Sequence, residues 1–218
     1  AEFNSNFFIS FDKTYKVKRY NFRSGGNIIK ATFELKKPFS NSFIQEEINQ
    51  INLIESNFKT DIGPNKNTTN ISGKYSINNE NLLKFDLESK NSKDLLDFKL
   101  NTEYDRPLSL ELINYEKPKD VISNLSLDLS KKKENFHFKE IKYSEKANSM
   151  LVRGLKLNKN KFSSVEKILV RTEIDGKKNN DFTLSFGKNI SVRGAQFDAT
   201  NLPKIINQQN TNNKLKKI

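Results

Sequence analysis

Few residues in this chain are able to do chemistry, and their scatter argues against most reactions. There is one histidine, His137, and no cysteine. His137 stands between Phe136 and Phe138 in an alternating run, so a strand there turns its imidazole to the polar side. With no second histidine and no cysteine, neither an imidazole metal site nor a Ser-His-Asp relay has a sequence basis. The lack of cysteine also removes disulfides and thiolate nucleophiles. Carboxylates are plentiful but dispersed. Asp86 with Glu88, and Glu111 with Glu116, fall on polar faces among lysines, whereas paired-carboxylate glycoside chemistry needs them in one cleft. Gly25-Gly26 reads as a hairpin turn and not as a phosphate loop. The expectation is a protein with no catalytic residue, no metal and no cofactor.

The elements that would position these residues are strands. Alternation with period two dominates. Apolar rows run through Phe7, Ile9 and Phe11, then Ile29, Ala31, Phe33 and Leu35, then Ile71, Gly73, Tyr75 and Ile77. They continue through Leu83, Phe85 and Leu87; Leu96, Phe98 and Leu100; Leu108, Leu110 and Leu112; and Leu125, Leu127 and Leu129. Phe136 with Phe138 and the set Leu151, Arg153, Leu155 and Leu157 come next. Ile168, Val170 and Thr172; Phe182, Leu184 and Phe186; and Ile190 with Val192 complete the series. Turn residues such as Asn78-Asn79, Lys131–Lys133, Asp175-Gly176 and Gly187-Lys188-Asn189 separate the runs. The pattern predicts an antiparallel meander, mainly β, with at most one or two short helices. Ser42–Ser56 reads either as a helix of three turns or as a loop leading into a strand. Asp61–Asn70 is the best place for a loop break within a β-region covering residues 1–206, and 207–218 reads as a polar linker or tail.

The chain has 218 residues, a net charge of +12 and a mean hydropathy of −0.74. The joint overuse of Lys, Asn, Ile and Phe explains the charge through composition, and lysine runs fall in turns while the aromatics join the apolar rows. A basic-aromatic platform for nucleic acid is therefore not expected, although a basic polar face could sit near anionic headgroups. No run reaches the roughly 18–20 apolar residues of a membrane-spanning helix. The strand-like opening at Ala1 suggests an internal piece of a longer protein.

An antiparallel sheet with one apolar face needs that face covered. Helices are almost absent, which leaves two solutions. The sheet folds on itself as a sandwich or barrel, serving as a self-contained binding or structural module. Or it curls into a trough whose lining is covered by something else. Strands of ten residues span roughly 33 Å, wide enough to hold acyl chains. Patterning alone leaves both solutions open.

The last strands end in "ISVRGAQFDATNL". Gly194 permits a tight bend, Phe197 would tuck back under the sheet, and Asp198 would cap a short helix carrying Leu202 and Ile205. This corner, with "LVRGLKLNKNKFSSVEKILVRTEIDGKKNNDFTLSF" before it, resembles the repetitive β-sheet regions of the AsmA-like bacterial envelope family (TamB/YhdP type). The resemblance is best from about Lys142 to Ile206. It implies a long, curved, taco-like sheet with an apolar concave face, in an inner-membrane-anchored protein of a Gram-negative bacterium that reaches through the periplasm. It implies passive phospholipid transport toward the outer membrane, or support of its assembly, with acyl chains as partners and other parts of the parent holding the membrane. The residues expected to face lipid are Leu83, Phe85, Leu87, Leu96, Phe98, Leu100, Leu108, Leu110, Leu112, Leu125, Leu127, Leu129, Ile168, Val170, Phe182, Leu184 and Phe186. Gly194, Phe197, Asp198 and Leu202 form the expected corner.

Overall fold

The computed structural model describes residues 2–204. Fifteen strands form: β1 (Glu2–Phe11), β2 (Val17–Phe39), β3 (Ile48–Ile62), β4 (Asn67–Ile77), β5 (Leu83–Ser92), β6 (Leu95–Tyr104), β7 (Leu108–Leu110), β8 (Tyr115–Lys117), β9 (Ser123–Lys132), β10 (Asn135–Glu145), β11 (Asn148–Asn158), β12 (Lys161–Ser164), β13 (Lys167–Ile174), β14 (Lys177–Phe186) and β15 (Ile190–Gln196). A single 3-10 turn, Glu111–Ile113, separates β7 from β8.

Thirteen strands make one sheet in the order β1-β2-β3-β4-β5-β6-β9-β10-β11-β13-β14-β15, with β12 beside the end of β11. Every pairing is antiparallel, as short hairpin connections require. β1 and β15 do not meet, so the sheet is open. The meander and the near-absence of helix follow the sequence expectation. The closed sandwich or barrel does not form among the described residues.

Several local expectations are corrected. Gly25-Gly26 is not a turn. It lies inside β2, opposite Asn4 and Phe3, and the first hairpin turns at Asp12–Lys16, held by hydrogen bonds from Thr14 and Lys16 to the Asp12 carboxylate. Ser42–Ser56 takes the loop-then-strand alternative: Ile44 makes an isolated bridge to Leu108 and β3 starts at Ile48. Asp61–Asn70 is the β3–β4 hairpin with its flanks. Leu108, Leu110 and Leu112 do not belong to a strand of the main sheet. β6 pairs directly with β9, so residues 105–122 loop out, and β7 and β8 pair with each other, apart from the Ile44 bridge to Leu108. Alternation reports a strand-like backbone and is silent about its partner, which is why this segment misled.

Irregularities re-phase the apolar face, one in β3 between Ile54 and Asn57 and two on the adjacent strands β10 and β11. β10 carries one extra residue relative to β9 between Phe138 and Glu140. Gly154 in β11 adopts a left-handed φ of 65°, which Gly tolerates without cost. After each, the inward positions shift by one. Leu151 and Arg153 consequently sit opposite Lys142 and Glu140 on the polar face, not in the row of Leu155 and Leu157.

The polar face is organised by the same register. Arg153 meets Glu140 at 3.0 Å, Arg171 meets Asp181 at 3.4 Å and Arg23 meets Asp61 at 3.0 Å, each across one strand pair. Lys139, the extra residue of β10, reaches Asp97 at 3.2 Å and Asp128 at 3.5 Å. Such exposed pairs contribute little individually, but opposite charges facing across strands favour this register over its slips.

Candidate functional site

Residues directly opposite in an antiparallel sheet face the same side, so the register defines rows across the apolar face. One row joins Phe85, Thr102, Leu125, Tyr143, Met150, Val170 and Phe182. The next joins Phe58, Ile71, Leu87, Leu100, Leu127, Ile141, Val152, Ile168 and Leu184. This second row has no polar member from β3 to β14. At about 4.8 Å per strand it is about 38 Å long. A third row joins Phe98, Leu129, Phe138 and Leu155, but continues toward β1 as Ser89, Thr69, Thr60, Ser24 and Ser5. The hydroxyls partner one another there, Thr60 with Thr69 at 3.1 Å and Ser5 with Ser24 at 2.8 Å. At this level the lining is apolar on β6–β11 and hydroxyl-bearing on β1–β5, whose further apolar rows, Ala31 with Leu53, Tyr75 and Leu83, and Phe33 with Ile51 and Ile77, lie toward the other end of the strands. That offset was not anticipated: the hydroxyls were in plain view, but only register places them beside Phe98.

The expected wall residues fall into three groups. Leu83, Val170 and Phe182 are buried. Phe85, Leu87, Leu96, Phe98, Leu100, Leu125, Leu127, Leu129, Ile168, Leu184 and Phe186 are half-buried on the sheet. Leu108, Leu110 and Leu112 stand apart on the looped-out segment, with Leu112 exposed. In a closed sandwich the middle group would be buried. Here no second sheet of the described chain lies over it, and only Ile168 and Leu184 pack against the cluster that the looped-out segment helps form.

The looped-out segment Asp105–Ile122 is the feature that sequence reasoning missed. It covers part of the apolar face at one end of the strands. Ile113 and Tyr115 pack with Val170 and Phe182 into a cluster of buried hydrophobic residues, with Leu110, Tyr143, Met150, Ile168 and Leu184 around it. The Tyr115 hydroxyl bonds Tyr143 at 2.7 Å and donates to Glu145 at 3.2 Å. Burial, followed by the contact with Tyr143, pushes the Tyr115 phenol far above its ordinary range. Polar staples hold both flanks. Arg106, 1% exposed, donates to the Ile77 carbonyl at 2.6 Å and pairs with Glu46 at 2.9 Å and Glu80 at 2.7 Å. Lys117 is equally buried and donates to the Arg106 carbonyl at 2.7 Å and to the Pro118 carbonyl at 3.2 Å. Burial holds its ammonium below the usual lysine range. On the far flank, Asn180 donates to the Ile113 carbonyl at 2.7 Å.

The expected corner closes over this segment. Gly194 is not a bend after the last strand. It lies within β15, opposite Phe182, where the register shifts, and a Cβ there would sit 2.2 Å from the Asp181 carbonyl oxygen. Phe197 does tuck back, its ring edge-on to Phe182 at 5.2 Å. Asp198 accepts hydrogen bonds from the Thr200 amide at 3.0 Å and hydroxyl at 2.6 Å, ahead of a helical turn that includes Leu202. It also accepts from Asn114 at 2.9 Å and Asn179 at 3.2 Å, tying corner to segment. Ile205 and the 207–218 tail lie outside the described residues.

His137 lies half-buried on β10 opposite Ser130 and Lys156. No group of three or more His, Asp or Glu able to hold a metal occurs among the described residues. No helix among them is long and apolar enough to cross a membrane. Comparison with protein-family models, curated proteins and solved structures found no match.

Proposed function

We propose that this sheet is a passive lipid-binding surface, whose uncovered apolar rows shield acyl chains from water. The observation that supports this reading is the half-buried row from Phe58 to Leu184, continuous over nine strands, which among the described residues is covered only where Ile168 and Leu184 meet the cluster under Asp105–Ile122. Burying an acyl methylene on such a wall contributes about 0.8 kcal/mol, so an acyl chain lying along part of one row is held without any directed bond. Headgroups remain at the strand ends, in water. The reaction makes and breaks no covalent bond and requires no cofactor.

The resemblance of the corner sequence to AsmA-like proteins gives this surface a setting. In that setting the chain is part of an inner-membrane-anchored periplasmic protein that serves phospholipid transport to the outer membrane or outer-membrane assembly. At the corner Phe197 folds back on Phe182 and Asp198 accepts from Thr200, while Gly194 lies inside β15.

Native mass spectrometry with lipid extraction tests the proposal. Co-purifying phospholipid is expected, and Phe98→Asp or Leu127→Asp should remove it while the far-ultraviolet dichroism of the sheet persists. A lipid-free protein that ignores added phospholipid would overturn the reading.

A further inference from the structure

The connections between strands fall at two ends of the sheet, and their charges differ. One end holds the turns Asp12–Lys16, Gly63–Lys66, Lys93–Asp94, Lys133–Glu134, Lys159–Asn160 and Gly187–Asn189. These six turns carry seven lysines against three carboxylates, Asp12, Asp94 and Glu134. Lys131, Lys132 and Lys161 adjoin them on the strand ends. The opposite end holds residues 40–47, 78–82, 105–122, 146–147 and 175–176, with eight carboxylates against four cations. Among the described residues none of the seven turn lysines pairs with a carboxylate. The rim holding the six lysine-bearing turns is therefore basic and the opposite rim acidic, while the strands between them carry a further excess of cations.

That rim is also the end left open. The segment Asp105–Ile122 covers the apolar rows at the other end. Exposed apolar side chains stand at the basic rim, including Tyr15 at 89%, Ile190 at 68% and Phe162 at 64% exposure. Exposed apolar groups occur at both ends, so charge is what separates them. Lysines beside aromatic and aliphatic tips suit the boundary of a bilayer, where ammonium groups meet phosphate and rings enter the acyl edge.

We propose that this rim docks on the surface of a bilayer containing anionic phospholipid, with the hairpin tips at headgroup level and the open ends of the apolar rows toward the membrane. The inference deepens the lipid-binding reading, because docking would bring lipid to those rows, and its test measures docking separately from occupancy. A lysine near an anionic surface contributes on a scale that makes the reversal of three of them worth at least about a tenfold loss of binding.

The chain contains no tryptophan, so one introduced at a time reports its own position. Tyr15→Trp places the probe at the basic rim and Leu112→Trp at the covered end. Each is mixed with phosphatidylcholine vesicles, with and without about one third phosphatidylglycerol, at about 0.1 M salt. The expected result is a blue shift of the Tyr15→Trp emission with anionic vesicles and quenching by brominated acyl chains, with neither at Leu112→Trp. Adding Lys131→Glu, Lys132→Glu and Lys133→Glu should weaken binding at least tenfold, whereas Lys30→Glu, Lys36→Glu and Lys37→Glu, an equal change of charge elsewhere, should not. Equal signals from both probes, equal losses from both triple variants, or tighter binding of an oligonucleotide than of vesicles would overturn the proposal. A silent Tyr15→Trp in a protein that still co-purifies lipid would overturn docking and leave the lipid-binding reading in place.

Discussion

Asp198 carries more than a cap. Four donors converge on its carboxylate, two from Thr200 and one each from Asn114 and Asn179. The Thr200 hydroxyl leads these bonds in drawing its pKa well below the ordinary carboxylate range, with Asn114 next. A carboxyl depressed in the folded state contributes stability that is fully present above its unfolded value, near about 3.9, and that is lost as pH falls below it. Asp198→Ala is expected to lower stability at neutral pH by about 1 kcal/mol, the usual cost of a lost cap. It should also flatten the decline in stability below about pH 4. Denaturant titrations at several pH values check both, and an unchanged acid limb would remove Asp198 from that role. The cap was legible in the sequence because Asp before a helical turn has a local signature. The bonds to Asn114 and Asn179 were not, since they link positions 84 and 19 residues away.

The looped-out segment is where alternation and structure part company. Its Leu108 and Leu110 keep strand spacing, yet their partners are Lys117 and Tyr115 on the same excursion. What anchors the excursion is a buried apolar residue between polar staples. Ile113 belongs to one buried cluster with Tyr115, Val170 and Phe182, and its carbonyl accepts from Asn180. Ile113→Ala should cost about 2–3 kcal/mol, at the lower side of the range for core truncations because solvent lies nearby. Hydrogen exchange should show the loss concentrated in β13 and β14, under the segment, and not in β4 and β5. Uniform acceleration would mean that the segment stabilises the sheet only globally. Elsewhere the phase slips are visible in sequence once their cause is known: the inward series passes from Phe138 to Ile141 and from Val152 to Leu155, each time skipping two residues. Strict alternation cannot do that, and one extra residue or a left-handed glycine can.

At the scale of the molecule, the fold class followed from composition and period because each strand needs only its neighbours. An open meander has no long-range closure for a sequence to hide. What register alone could supply was the hydroxyl row from Ser89 to Ser5 on β1–β5, level with Phe98, Leu129, Phe138 and Leu155 on β6–β11. Pairing and burial also set how the sheet should come apart. β1 pairs with β2 alone, and most of its side chains are exposed. β10, β11, β13 and β14 each have a neighbour on both sides, and all four contribute side chains packed with or around the buried cluster beneath Asp105–Ile122. In a chain whose elements contact only near neighbours, opening need not be all-or-none. Amide exchange should therefore begin in β1 and the free half of β2 and reach β10–β14 last. The protection in β10–β14 should fall when Ile113 is truncated, while that in β1 stays unchanged. Equal protection across all strands would require a closed or stacked architecture that joins the two edges, and both the uncovered row and the basic open rim would lose their footing together.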